Sequence, residues 1–224
     1  MLNTNNYLGP FSGFDSNLAD DFKEFGSVVK FTKENNIFDP DEMLDWFYII
    51  ISGKVKVYEI NFETSREQTL YLLARGDMYD LITLLDGKLH NLATEVLEDG
   101  EVIRFPIYKV KEWMRKSVSF EQLIYRFVAN QMRNVEELAI DLSLHDTKER
   151  LLKLLLKNVN SIEERGVDLL DKLSHAEIAH LIGTVRHIVD RHLKSLKNEG
   201  VINKEQRKVS LINAKKVLDM LTSY

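Results

Sequence analysis

Cysteine is absent from the 224 residues, and proline occurs only three times, as Pro10, Pro40 and Pro106 at the edges of readable elements. Without thiols there can be no disulfide, no Cys-ligated zinc and no iron–sulfur cluster, and a reducing compartment is permitted. No apolar run approaches the ~20 residues of a membrane span, so no membrane partner is expected. The opening MLNTNNYLGP lacks the basic-then-apolar order of a secretory signal, and the expectation is a soluble, cytoplasmic protein. Catalytic signatures are missing too. G-x-S-x-G, a phosphate loop and H-E-x-x-H do not occur, so the reading is non-enzymatic. Internal repeats and low-complexity stretches are likewise absent.

Neither charge sign dominates the whole, with a formal net of -5, but the sum hides a polarity along the chain. Residues 146–224 hold 15 Lys+Arg against 11 Asp+Glu, a net of +4, which leaves -9 for residues 1–145. Phosphate would attract the tail half and repel the front half, with a strong dependence on salt. The modest excess on one chain argues for two copies on one duplex.

The tail half carries the most specific pattern, SHAEIAHLIGTVRHIVDRHLKSLKNEG from Ser174 to Gly200. Ser174 and Glu177 have capping-box spacing, Ile178, Leu181 and Ile182 form a helical stripe, and Gly183 permits a sharp turn. Thr184 is the predicted N-cap of a second helix whose inner side is Val185, Ile188, Val189, His192, Leu193 and Leu196. Arg186, His187, Asp190, Arg191 and Lys194 are left outside. This is a helix-turn-helix layout, in which residues near the start of the second helix enter the major groove. Arg186 is the predicted base reader, because arginine grips guanine O6 and N7 with two hydrogen bonds. Gly200 is placed to end the helix in a left-handed residue. Two strands, Val201–Ile202 and Val209–Ile212, then flank Lys204, Arg207 and Lys208 as a basic wing on phosphate. The DNA-contacting set is Ser174, Thr184, Arg186, His187, Arg191, Lys194, Lys204 and Lys208. A metal reading of His175, His180, His187 and His192 fails on spacing, since His175 and His180 do not share a helix face.

The front half is strand-like. Trp46–Gly53 is an apolar run closed by a turn at Ser52-Gly53, followed by alternating Lys54–Tyr58. Further strands are expected at Ser27–Thr32, Glu67–Leu73, Ala93–Leu97 and Glu101–Pro106, with turns at Arg75-Gly-Asp77, Asp86-Gly87 and Asp99-Gly100. Leu81, Leu84, Leu85, Leu89 and Leu92 read as core. From Ser117 to about Leu144 the period becomes helical, and one stripe holds Phe120, Ile124, Phe127, Val128, Gln131, Val135, Leu138 and Leu142. Its near-heptad spacing over about 33 Å predicts pairing with a twin, the alternative being packing on its own barrel. A symmetric pair would set two reading helices about 34 Å apart, on successive major grooves.

Phe47–Tyr58, Arg75-Gly-Asp77, Asp146–Leu152 and Ile178–Gly183 leading into Arg186–Arg191 together resemble the CRP/FNR family of bacterial transcription regulators across nearly the whole chain. The resemblance implies an α+β fold. Residues 1–110 would be an effector-sensing antiparallel β-roll of jelly-roll type, 111–144 a dimerisation helix and hinge, and 145–224 a winged helix-turn-helix. It also implies a homodimer whose reading helices are reoriented by an effector held between roll and long helix, and contact with RNA polymerase if it activates. Arg186 matches a base-reading Arg of the family, and Arg191 a second Arg that contacts base or phosphate. His187 departs from the Glu of many relatives, which leaves two readings, a base contact that alters the preferred half-site or a contact with phosphate or water. Cyclic-nucleotide-binding members carry a Gly-Glu pair and later an Arg-Ser pair. Here those positions hold Asp80-Leu81 and His90-Asn91, with Val135-Glu136 at the helix positions that touch the base. Cyclic AMP is therefore disfavoured. The alternative is a haem-dependent nitric-oxide or redox sensor of the same fold, with His90 as axial ligand and Met43, Met78 and Met132 as softer donors.

Overall fold

The computed structural model describes residues 16–38, 42, 44–90, 92–205 and 208–222. Pro10, Pro40, Met43, Asn91 and Arg207 lie outside the described residues. In chain order the elements are α1 (Ser16–Phe25), β1 (Ser27–Phe31), β2 (Trp46–Asn61), β3 (Arg66–Leu73), β4 (Met78–Tyr79), α2 (Leu81–Asp86) and β5 (Ala93–Pro106). Then follow α3 (Ile107–Lys116), α4 (Val118–Leu144), α5 (Thr147–Arg165), α6 (His175–Leu181), α7 (Arg186–Asn198), β6 (Ile202–Glu205), β7 (Lys208–Leu211) and α8 (Ala214–Thr222). These fall into two compact units. One draws on residues up to Val57 and on Tyr71–Asn134, the other on Tyr58–Leu70 and on Val135 onward. The division thus gives the tip of the β2–β3 hairpin to the second unit. Among the described residues no helix is long and apolar enough to cross a membrane.

The first unit is built on an antiparallel sheet of order β1-β5-β2-β3, with β4 on β2 and β1 paired to β5 from Ser27↔Arg104 to Phe31↔Gly100. The unbroken apolar run of β2 has a direct cause. Phe47, Ile49 and Ile51 face one core, shared with α1, α3 and the start of α4, while Tyr48, Ile50, Val55 and Val57 face another with Phe31, Phe38 and Leu73. A strand buried on both faces needs no polar alternation. The first core is aromatic, with Phe22 against Trp113 at 4.7 Å and Trp113 against Phe120 at 5.9 Å between ring centroids. The Trp113 indole donates to Asp21 Oδ2 at 2.8 Å, which satisfies its one polar atom.

Two predicted turns are bends within single strands. Gly53 has φ +86 inside β2, and the backbones of β2 and β5 approach so closely there that a Cβ on Gly100 would stand 2.0 Å from the Ser52 carbonyl oxygen. Glycine marked a close backbone crossing rather than a hairpin. Lys54 and Lys56 just beyond the bend are buried and reach Glu98 at 3.6 Å and Glu95 at 2.5 Å. Of the leucines read as core, Leu81 and Leu84 are buried, whereas Leu85 and Leu89 are exposed on and after the short α2.

The long helix corrects the dimer stripe. Phe120 and Ile124 are sealed in the aromatic core, and Phe127 and Val128 pack against it, so these four serve their own unit. Leu142 lies against the turn at Gly183. Gln131, Val135 and Leu138 remain at least partly exposed on the predicted face.

Gly100→Ala is expected to cost about 2 kcal/mol or more, because the new methyl group meets backbone that cannot turn aside. A urea midpoint equal to that of the parent would contradict the crossing.

Candidate nucleic-acid interface

α5 and α6 start where their sequences say they should. Asp146 accepts from Lys148 N at 2.7 Å and Glu149 N at 2.9 Å, and Glu149 answers by accepting from Asp146 N. Ser174 and Glu177 form the second capping box, the Ser174 Oγ taking the Glu177 N–H at 3.2 Å. Ser174 is thereby engaged as a cap. Gly166 closes α5 with φ 66, and the buried Asn158 ties the following loop by donating to Asp168 Oδ1 and accepting from Leu169 N, at 2.9 and 2.7 Å.

The turn to the reading helix has Gly183 at φ +62, in the left-handed region that glycine tolerates. Its missing Cβ leaves room for three neighbours: Leu142 Cδ2, Gln68 Oε1 and Arg150 Nη1 would lie 2.4, 2.8 and 3.2 Å from it. Gln68, from the β2–β3 tip, donates through Nε2 to the His180 carbonyl at 3.1 Å. Beside it, His180 Nδ1 lies 2.9 Å from Glu67 Oε1.

The N-cap of α7 is Val185, extended at φ -115, not Thr184, whose amide donates to Ala179 O at 2.9 Å instead. Val185 is exposed, so the predicted inner face begins later: Val189, Leu193 and Leu196 are buried, while Ile188 and His192 are half-buried. Arg186 is the first residue of α7, with 74% of its side chain exposed, and His187, Arg191 and Lys194 are exposed with it. The structure therefore gathers four of the predicted contacts on one short rod. Gly200 follows α7 at φ +68, and β6 and β7 pair from Ile202↔Leu211 to Glu205↔Lys208, the predicted wing. The side chains of Lys204 and Lys208 lie outside the described residues.

The four tail histidines each do something different. His175 Nδ1 meets Asp190 Oδ1, His180 faces Glu67, His192 Nε2 shares a 2.8 Å hydrogen bond with Thr147 Oγ1, and His187 is exposed. Sequence reasoning missed the His175–Asp190 contact because it joins two helices across a turn, and no periodicity signals that. α8 and most of α5 were also left unread, although Asp146-x-x-Glu149 followed by LLKLLLKNV spells a capped amphipathic helix.

Leu81 is sealed in the core, and the buried Asp80 carboxylate caps α2, accepting from Ile82 N at 3.2 Å and Thr83 Oγ1 at 2.6 Å. His90 Nδ1 is 3.3 Å from the same Asp80. Burial, with the Asp80 charge adding to it, pushes the phenols of Tyr71 and Tyr79 up. Asp80 is thus engaged by the N-terminus of α2 and faces His90. Val135 and Glu136 are exposed in the second unit. Of the softer haem donors, Met78 is fully buried in the aromatic core and Met132 is exposed on α4.

With this geometry in hand, comparison with known proteins is informative. A model of the cyclic nucleotide-binding domain matches residues 28–117, and one of the Crp-like helix-turn-helix domain matches residues 149–220, between them most of the chain. The global nitrogen regulator of Nostoc sp. is 25% identical over 211 residues, 88% of this chain and 93% of that protein. The cyclic AMP receptor protein of Thermus thermophilus is 28% identical over 167 residues, 74% of each. Among solved structures, FixK2 from Bradyrhizobium japonicum shares the fold, with a TM-score of 0.76 at 21% identity over 87% of this chain and 96% of that one.

Burial lowers the affinity of His192 for a proton, and the Arg191 charge acts in the same direction. The unfolded chain therefore takes up that proton more readily. Stability is full above the ordinary histidine value of about 6.5 and is lost as pH falls below it. Thermal melting between about pH 8 and about pH 5.5 should show a fall that His192→Gln reduces. An identical fall in the variant would remove His192 as its source.

Proposed function

Because the chain belongs to the CRP/FNR family of transcription regulators and is a DNA-binding regulator with a cyclic nucleotide-binding-like sensor, we propose that it works as a homodimer on a near-palindromic operator, under an effector other than cyclic AMP. The observation that carries the DNA-reading role is the start of α7, where Arg186 stands exposed at the first helical position above a buried Val189–Leu193–Leu196 seam. Such a rod can enter a major groove without unpacking its domain. Arg186 reads a base, His187 and Arg191 extend the contact, and Lys194 with the wing lysines Lys204 and Lys208 meets phosphate.

Two features support the finer reading. Gln131, Val135 and Leu138 form an incompletely covered seam on α4, which a second copy of the same helix would bury. At the sensor, His90 occupies the place of the family's phosphate-binding Arg and already faces the Asp80 carboxylate. A cyclic phosphate arriving there meets an acidic neighbour instead of a free guanidinium.

Arg186→Ala should cost about 1–3 kcal/mol on preferred sites and relax base choice at one position of each half-site, measured by selecting bound duplexes from a random pool. Equal losses on selected and random DNA would defeat the base-reading assignment. Val135→Glu combined with Leu138→Glu places like charges along the seam and should convert the dimer to monomer in sedimentation. A variant that sediments as the parent does would move the interface elsewhere.

A further inference from the structure

Arg186 does not stand alone. Its Nε lies 3.6 Å from Asp190 Oδ2, one helical turn further along α7, and the other oxygen of that carboxylate is engaged by His175 Nδ1 from the first position of α6. We infer that His175 and Asp190 are positioning residues for base reading: the carboxylate, anchored by the imidazole, holds the Arg186 side chain so that its two terminal nitrogens are presented to a guanine edge.

Hydrogen-bond chemistry fixes the roles. An ionised carboxylate only accepts, so the proton shared with His175 resides on Nδ1. A guanidinium has five N–H donors, and a contact through Nε leaves both terminal groups for the bidentate grip on O6 and N7. An exposed ion pair one turn apart on a helix is weak by itself, since both side chains must be immobilised. Here one partner is already fixed. His175 is only 15% exposed and starts a helix closed by the Ser174–Glu177 capping box, whereas Asp190 is 44% and Arg186 74% exposed. Order is passed outward from a packed residue to a solvated one. The carboxylate also penalises docking of Arg186 on a phosphate in place of a base, because the phosphate would approach a like charge.

The inference rests on Arg186 reading a base, and the test separates the two. The full-length protein, with Asp190→Ala, His175→Ala, His175→Asn, Arg186→Ala and the Arg186→Ala/Asp190→Ala pair, is selected against a pool of randomised duplexes. Each variant is then titrated against the duplex the parent prefers and against random-sequence duplex. Asp190→Ala should lower the ratio of preferred to random affinity about tenfold, with random-sequence affinity equal or higher and an unchanged melting profile. His175→Ala should follow it in part. His175→Asn, whose amide nitrogen takes the place of Nδ1, should restore the ratio. In the Arg186→Ala background, Asp190→Ala should change nothing more. If Arg186→Ala relaxes base choice while the Asp190 and His175 variants keep the parental ratio, the positioning role is wrong and base reading survives. If Arg186→Ala leaves base choice intact, both fall. A ratio that falls further in the double variant than in Arg186→Ala alone assigns Asp190 an independent role and overturns the relay.

Discussion

The geometry of the DNA-reading half hinges on the absence of one methyl group. At Gly183 the backbone turns into the left-handed region, and the space beside its Cα is taken by Leu142 from the long helix, Gln68 from the β2–β3 tip and Arg150 from α5. A side chain there would adopt a strained left-handed backbone and crowd the side-chain ends of all three. The turn sets the direction of α7, so the contacts that crowd Gly183 also set where Arg186 points. The hairpin tip, continuous with the strands of the sensor sheet, bonds to the carbonyl of His180 at the end of α6.

Around this point the polar groups of the second unit are arranged to keep helix ends satisfied and one face free. Capping boxes at Asp146 and Ser174 fix where α5 and α6 begin, and Asn158 fastens the loop between them. Val189, Leu193 and Leu196 then hold α7 from behind, and of the cations on its outer face Arg186 is paired with Asp190. The sensor unit follows a different logic: its acidic and basic groups are turned onto one another, Asp80 onto the α2 terminus and His90, and Lys54 and Lys56 onto Glu98 and Glu95.

Much of this was readable along the chain. Ser174-x-x-Glu177, Gly183 and Gly200 announce caps and turns through local backbone chemistry, and the structure has each of them in that role. The apolar period of α4 and the paired strands of the wing were equally plain. Readings failed where two local explanations compete. Gly53 and Gly100 suit a hairpin or a close crossing, and only the partner strand decides. Thr184 is a better capping residue than Val185, yet the tight turn places the extended residue one position later. Phe120 and Ile124 satisfy a dimer seam as well as a core, because a helical stripe records burial and not the identity of what buries it. α1, α3 and α8 went unread, since ten residues or so of amphipathic pattern are a faint signal.

The sequence by itself determined the order of the parts, the reading helix with its outward cations, the turn glycines and the membership of the family, because each is written in short-range spacing and side-chain chemistry. Tertiary structure alone decided which face of the long helix is used at home, that Asp80 caps α2, that Gln68 bonds to the carbonyl near the end of α6, and that His175 reaches Asp190. Those outcomes depend on residues brought together from distant positions, and the distance between two side chains in space is not encoded in the number of residues between them.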